Sequence, residues 1–172
     1  NANIRAKQVI IESNRGKIIG GTIHADILVE AAEIGNRAES RTIIRLNGFD
    51  RGTMKSRLDY IVEKLEQARD QITKTKQLLQ IYSSAETLTP EQRTVHVKVM
   101  DHYAQLKDHI RDLELERREY VKYLKTPGEG AVISHFRVYP KVRIEIKNAV
   151  AEIGLETMGG TWYYSDNDIH TK

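Results

Sequence analysis

The strongest constraint on this chain is a change of hydrophobic period near residue 53 that reverses near residue 126. On either side of that stretch, apolar residues alternate at a spacing of two, the period of a strand whose side chains point to opposite faces. Inside it, Leu58, Ile61, Leu65, Ala68, Ile72, Thr75, Leu79 and Tyr82 follow alternating steps of three and four. Val99, Tyr103, Leu106, Ile110, Leu113, Arg117, Tyr120 and Leu124 do the same. Those steps make the seam of a helix, and a pattern of that period does not settle as a strand. Three segments are therefore expected: a first β segment over 3–52, an inserted helical hairpin over 53–126, and a second β segment with a C-terminal tail over 127–172.

The helical segment is expected to be a long antiparallel coiled-coil hairpin. Thr89-Pro90-Glu91-Gln92 is a helix start, with Thr as cap, Pro at the first helical position and Gln three residues after the cap. Two helices joined by the short connection before it should fold back on each other, each roughly 45–50 Å long at about 1.5 Å per residue. Outside the narrow seams the faces are charged, with Asp59, Glu63, Lys64, Glu66, Arg69 and Asp70 on one helix and Arg111, Asp112, Glu114, Glu116, Arg118 and Glu119 on the other. Such a hairpin is expected to project into solvent. Arg117, Arg118, Lys122 and Lys125 form a basic end that complements the helix dipole. The dipole accounts for this basic end, and nucleic acid is not the expected partner. Thr126-Pro127-Gly128-Glu129-Gly130 then stops the second helix.

The first β segment repeats itself. Ile4, Ala6, Ile10 and Gly16 recur 19 residues later as Ile23, Ala25, Val29 and Gly35, and Thr42, Ile44 and Leu46 stand at the next step of 19. Asn14-Arg15-Gly16, Gly20-Gly21 and Gly35-Asn36 punctuate the strands as turns. A short strand cannot bury its apolar face alone, so a repeat of this length is expected to stack as coils of a parallel β-helix. Strand patterning returns with Val132, Phe136, Val138, Val142, Ile144 and Ile146. Gly159 to Tyr164 is expected to add another strand, and Ser165-Asp166-Asn167-Asp168 to form either a polar turn or the start of a frayed tail. The first coil carries Val9, Ile10 and Ile11 in a row, and two copies are expected to pair as a homodimer through that end of the β-helix.

Composition narrows the chemistry. The chain has no Cys, which excludes disulfides and thiolate catalysis. Its 27 Lys and Arg against 24 Asp and Glu leave a net charge of +3, too thin an excess to signal nucleic-acid binding. No run approaches the roughly 18 apolar residues of a membrane span. The six histidines, His24, His96, His102, His109, His135 and His170, form neither a His-Glu-x-x-His motif nor a pair four apart, so no metal is expected. His24, beside the repeated Ile23 and Ala25, is the one candidate for a general base of the kind used by β-helical acyltransferases. Gly16 to Gly21 has the wrong order for a phosphate-binding loop, and Asp166 with Asp168 lacks the Gly and closing Glu of a calcium loop. No catalytic, cofactor-binding or metal-binding residue is assigned, and no cofactor is expected. Asn1-Ala2 is expected to be a remnant of tag cleavage on an excised piece of a longer protein.

Gly16-Lys17-Ile18-Ile19-Gly20-Gly21-Thr22-Ile23-His24-Ala25, then Ala32-Glu33-Ile34-Gly35 and Thr42-Ile43-Ile44-Arg45-Leu46-Asn47-Gly48, resemble in order and spacing the C-terminal part of the flagellar assembly protein A family. The match continues beyond the insertion at Val138-Tyr139-Pro140-Lys141-Val142-Arg143-Ile144, where Lys141 departs from a Gly common in the family. The resemblance implies a right-handed parallel β-helix with a helical arm, in a cytoplasmic bacterial protein linked to flagellar assembly or placement. It carries over no catalytic residue. The expected function is a non-enzymatic scaffold whose arm meets protein partners among flagellar or cell-pole components. Two alternatives remain: a regulatory domain whose partner docks on the arm and is released by a cellular signal, and an acyltransferase-type enzyme on the β-helix flank.

Overall fold

The computed structural model describes residues 3–85 and 87–172; the supposed tag remnant, Asn1-Ala2, lies outside them. The strands β1 Asn3–Ile10, β2 Lys17–Ile18, β3 Gly21–Ile34 and β4 Thr42–Leu46 precede two helices, α1 Arg51–Ser83 and α2 Pro90–Lys125. After them come β5 Ala131–Val138, β6 Val142–Ile146, β7 Ala149–Ile153, β8 Thr157–Ser165 and β9 Asp168–Thr171. The chain divides into a β unit, Asn1–Met54 with Tyr123–Lys172, and a helical unit, Lys55–Lys122.

In the β unit, β3 is the spine. It pairs in parallel with β1 and β2 on one side and with β4 and β5 on the other. Strand register turns the aliphatic positions into ladders. Ile4, Ile23, Ile44, Ile144 and Ala151 form one; Val9, Val29, Val132 and Trp162 form another. Ile44, Ile144, Val29 and Val132 are fully buried in one continuous core. Each such side chain contributes about 1.5–3 kcal/mol by leaving water.

The repeat sets the first register and misses the second. Ile4 lies against Ile23 and Ala6 against Ala25, a step of 19. The next rung sets Ile23 against Ile44, a step of 21. The connection between these rungs is longer, folded on Asn36, whose Oδ1 accepts the Ser40 N–H at 2.9 Å. Val29 faces Val9 rather than Ile10, because the register breaks between Ala6 and Gln8.

The expected right-handed parallel β-helix is not what the chain forms. Among the described residues, the pairings β5–β8, β6–β7 and β8–β9 are antiparallel. The strands make one mixed sheet of order β7-β6-β4-β3-β5-β8-β9, whose end strands approach each other so that it nearly closes. The cause is two tight reversals. Lys147 takes a left-handed φ of 54° between β6 and β7, and Asp166 and Asn167 take 52° and 64° between β8 and β9. Two consecutive positive φ values suit a two-residue hairpin. Ser165–Asp168 is therefore a turn followed by a strand, not a fraying tail.

Lys141 also sits in the left-handed region, at φ 63°. This is the position where the resemblance expects glycine. The geometry persists with a lysine, whose Nζ reaches Glu39 at 2.8 Å on the surface. A non-Gly residue held there costs about 1–3 kcal/mol, while glycine costs about 0.5–1 in chain entropy. Lys141→Gly is expected to stabilise the β unit by roughly 0.5–1 kcal/mol, read as a rise in denaturant midpoint at unchanged slope.

The helices are not a long antiparallel coiled-coil hairpin. Of the expected seam, only Ile61, Leu65, Ala68 and Thr75 on α1 and Leu106 and Leu113 on α2 are buried. Packing contracts to one cluster of Ile61, Leu65 and Leu113, with Ile110 and Tyr120 against it. Thr75 Oγ1 turns back to the Gln71 carbonyl at 2.8 Å, and Arg117 is exposed. Both interrupt the knobs a continuous seam needs. Ion pairs Arg57–Glu116 and Arg69–Glu114, each 2.8 Å, flank the cluster. The start of α2 is built as its sequence predicts. Thr89 N–H donates to Gln92 Oε1 at 2.8 Å, and Gln92 N–H donates to Thr89 Oγ1 at 3.2 Å.

Candidate functional site

Two surfaces carry side chains that packing does not explain: the outer face of the sheet and the surface of the helical unit. On the sheet, strand register aligns charges. Arg45 lies against Glu145, and Arg143 against Glu152. Arg45 Nε reaches Glu145 Oε2 at 2.7 Å, and Arg143 bridges Glu145 Oε1 at 2.7 Å and Glu152 Oε1 at 2.8 Å. A second ladder sets Lys17, Glu33 and Arg137 side by side. Lys17 Nζ is 2.7 Å from Glu33 Oε2, and Arg137 Nη1 is 2.6 Å from Glu156 Oε1.

These contacts set the acidities. Burial pushes the Glu145 carboxyl up, and hydrogen bonds from Arg45 and Arg143 outweigh it, so the group titrates below the usual range. The Lys17 hydrogen bond holds Glu33 down against the opposing effect of burial. Asp50, the cap of α1, is lowered by hydrogen bonds from Thr53. A proton-donating carboxyl needs the opposite displacement. Their joint effect is to pin strand register, each exposed pair contributing about 0–1 kcal/mol. Glu33 gives a pH prediction. Unfolded, it titrates near about 4.3; folded, it titrates lower. Its contribution is whole above the unfolded value and drains as pH falls through the folded one. Glu33→Gln should flatten the acid limb of a stability–pH curve below about pH 4.5 and leave the neutral region with a small constant loss.

The histidines are dispersed. His24 lies in a ladder between Arg5 and Arg45. His135 Nε2 meets Glu30 at 2.8 Å, His170 Nε2 meets the Ser165 carbonyl at 3.0 Å, and the His96 ring lies 5.7 Å from that of Tyr82. His102 and His109 are exposed on α2. Among the described residues, no three metal-ligating side chains converge, and no helix is long and apolar enough to cross a membrane.

The helical unit carries the less expected feature. Leu78, Ile81, Val95, Val97 and Met100 are between 45% and 65% exposed. They concentrate where α1 ends and α2 begins. Beside them Leu79, Met100, Tyr103 and Ala104, with Lys107 and Asp108, line a shallow groove of about 440 Å³. Leu79 and Tyr103 belong to the seam, whereas Leu78, Ile81, Val95, Val97 and Met100 stand off its steps of three and four. Apolar residues off that frame were the available signal.

A sheet of stacked aliphatic ladders interrupted by a helical insertion defines the class: a strand-ladder protein with an inserted helix pair. The chain belongs to the family described as Flagellar Assembly Protein A beta solenoid domain, whose pattern matches residues 1–169. The resemblance drawn from the motifs is thereby shown, and with it a connection to flagellar assembly. No curated protein and no solved structure matches the chain significantly.

Proposed function

We propose that this chain is a non-enzymatic assembly module in the bacterial cytoplasm, in which the β unit is the rigid body and the helical unit docks a protein of the flagellum or cell pole. The observation that carries this reading is the group of exposed apolar side chains Leu78, Ile81, Val95, Val97 and Met100 on the helices. Large apolar groups left in water at one end of a helix pair are characteristic of a binding surface. Met100, at the groove, has an adaptable side chain suited to recognition. The lowered carboxylates of the sheet support a structural role for its charges. The test is capture from a lysate of a flagellated bacterium by the whole chain, with Ile81→Lys and Met100→Lys as variants. A flagellar or polar protein retained by the parent and lost by the variants supports the proposal. Turnover of an acyl donor by the purified chain, abolished in His24→Ala, would sink it.

A further inference from the structure

β2, β3 and β5 carry an outward-facing ladder of Lys17, Glu33 and Arg137, while the next residues along, Ile18, Ile34 and Val138, are buried. Beside this ladder the chain turns at Gly35, where φ is 84°. A Cβ at Gly35 would come 2.9 Å from that of Tyr139, so glycine is what lets the buried Tyr139 pack over the turn. The ladder, Ile19, Arg37 and Tyr139 wall a cleft of about 430 Å³. Three cations and one carboxylate line it, an excess of two positive charges. Glu33 is already engaged, by Lys17 at 2.7 Å and by the Tyr139 hydroxyl, which donates to it at 3.4 Å. Glu156, outside the wall, accepts from Nη1 of Arg137 at 2.6 Å, one of the five N–H donors of that guanidinium. The Arg37 side chain has no hydrogen-bond or ion-pair partner among the described residues. Glu33 holds the Lys17 pKa up, and the neighbouring Arg37 charge opposes it.

We propose that this cleft binds the phosphate monoester of a small organic molecule, with Arg37, Arg137 and Lys17 around the phosphate. A phosphate monoester carries about −1.5 to −2 charges at neutral pH, which matches the excess of the lining. Guanidinium forks engage its oxygens in pairs, and an ammonium adds a point charge. Cations gathered in one place repel, and a dianion set between them removes that cost. The volume calls for more than the phosphate alone. Clefts that take small molecules run to about 300–1,000 Å³ and set apolar wall beside a few polar groups. Ile19, 49% exposed, is such a wall for the organic part. Glu33 stands in the same lining and disfavours a second anionic group, so one phosphate is selected over a polyanion. The site belongs to the β unit and is independent of the docking surface proposed for the helices.

The test is calorimetric titration of the whole chain with phenyl phosphate, inorganic phosphate and phenol, at low salt so that screening does not mask the charges. Phenyl phosphate is expected to bind severalfold tighter than inorganic phosphate, and phenol not to bind. Its affinity should fall severalfold on acidification below about pH 6, where the ester takes up its second proton. Arg37→Gln should weaken phenyl phosphate at least tenfold, and Arg37→Lys should recover part of the loss. Arg37 is exposed and its side chain holds no other group, so neither substitution endangers the fold. Arg41→Gln, which removes an exposed cation outside the cleft wall, should leave binding unchanged. Absence of phenyl phosphate binding overturns the proposal. So does binding that Arg37→Gln leaves intact, or that Arg41→Gln weakens equally. Equal affinity for the two phosphates overturns the organic part of the ligand. A chain retained on phosphatidic acid vesicles but indifferent to phenyl phosphate would assign the phosphate to a lipid surface and overturn the small-molecule reading.

Discussion

Ile44→Asp is expected to unfold the β unit while leaving the helical signal in place. Ile44 is fully buried, stacked between Ile23 on β3 and Ile144 on β6. Removing its side chain forfeits about 2–5 kcal/mol, from lost transfer energy and the cavity left behind. The carboxylate then stands among the aliphatics of the core, which costs several kcal/mol more. Together these meet the roughly 5–15 kcal/mol that hold a domain of this kind folded. The helical unit is spared because Ile61, Leu65 and Leu113 form a cluster of their own. Trp162 gives a local readout, since it is buried in the β core against Val132. Its emission should shift to the red in Ile44→Asp, with helical circular dichroism retained. Ile44→Val, by contrast, should cost only about 0.5–1.5 kcal/mol. A native emission maximum in Ile44→Asp would mean that the ladder is not the core.

How much of this was readable beforehand depends on what a periodicity encodes. Alternation says that Ile23, Ala25 and Ile27 share a face, and the structure buries all three. It does not say whether the next strand runs parallel or antiparallel, because both have the same side-chain period. The antiparallel course of β7, β8 and β9 therefore could not be read from Val150 or Trp162. It was written instead in short turns: Asp166-Asn167 is a polar pair suited to positive φ, and Lys147-Asn148 is a weaker form of the same signal. The 19-residue step predicted one rung and failed at the next, because added residues in a surface loop alter spacing without disturbing the ladder. In the helices, steps of three and four identified the side that packs, but not how much of it packs. Thr75 and Arg117 were visible as exceptions to the seam, and the buried apolar cluster centres on Ile61, Leu65 and Leu113. The charge ladders were unreadable, since Arg45 and Glu145 are 100 residues apart and meet only through strand register. The exposed Leu78, Ile81, Val95, Val97 and Met100 were in plain sight, off the heptad frame.

Excision of residues 55–122, with Met54 joined to Tyr123 by a short Gly-Ser link, is expected to leave the β unit folded and to abolish partner capture. The contacts that hold both helix roots lie outside the excised stretch. The Arg51 guanidinium donates to the carbonyls of Leu124 at 2.7 Å, Gly128 at 2.9 Å and Thr126 at 3.1 Å. Phe49 N–H donates to the Glu129 carbonyl at 2.9 Å, and the Phe49 ring meets that of Tyr123 edge-on at 5.7 Å. Asp50 Oδ1 accepts the Thr53 N–H at 2.6 Å, and Lys147 pairs with Glu129. The unfolding midpoint followed by Trp162 emission should then stay within a few degrees of the parent, the shift produced by about 1 kcal/mol in a domain of this size. A deeper cut, joining Leu46 to Val132, deletes Phe49, Arg51, Thr126 and Gly128 with their hydrogen bonds, and should lower the midpoint sharply. The pair of deletions separates structure from function. If the shallow deletion folds and no longer retains the flagellar or polar partner, binding resides in the helical unit. If it folds and still retains the partner, the docking surface lies on the sheet and the role proposed for Ile81 and Met100 is wrong.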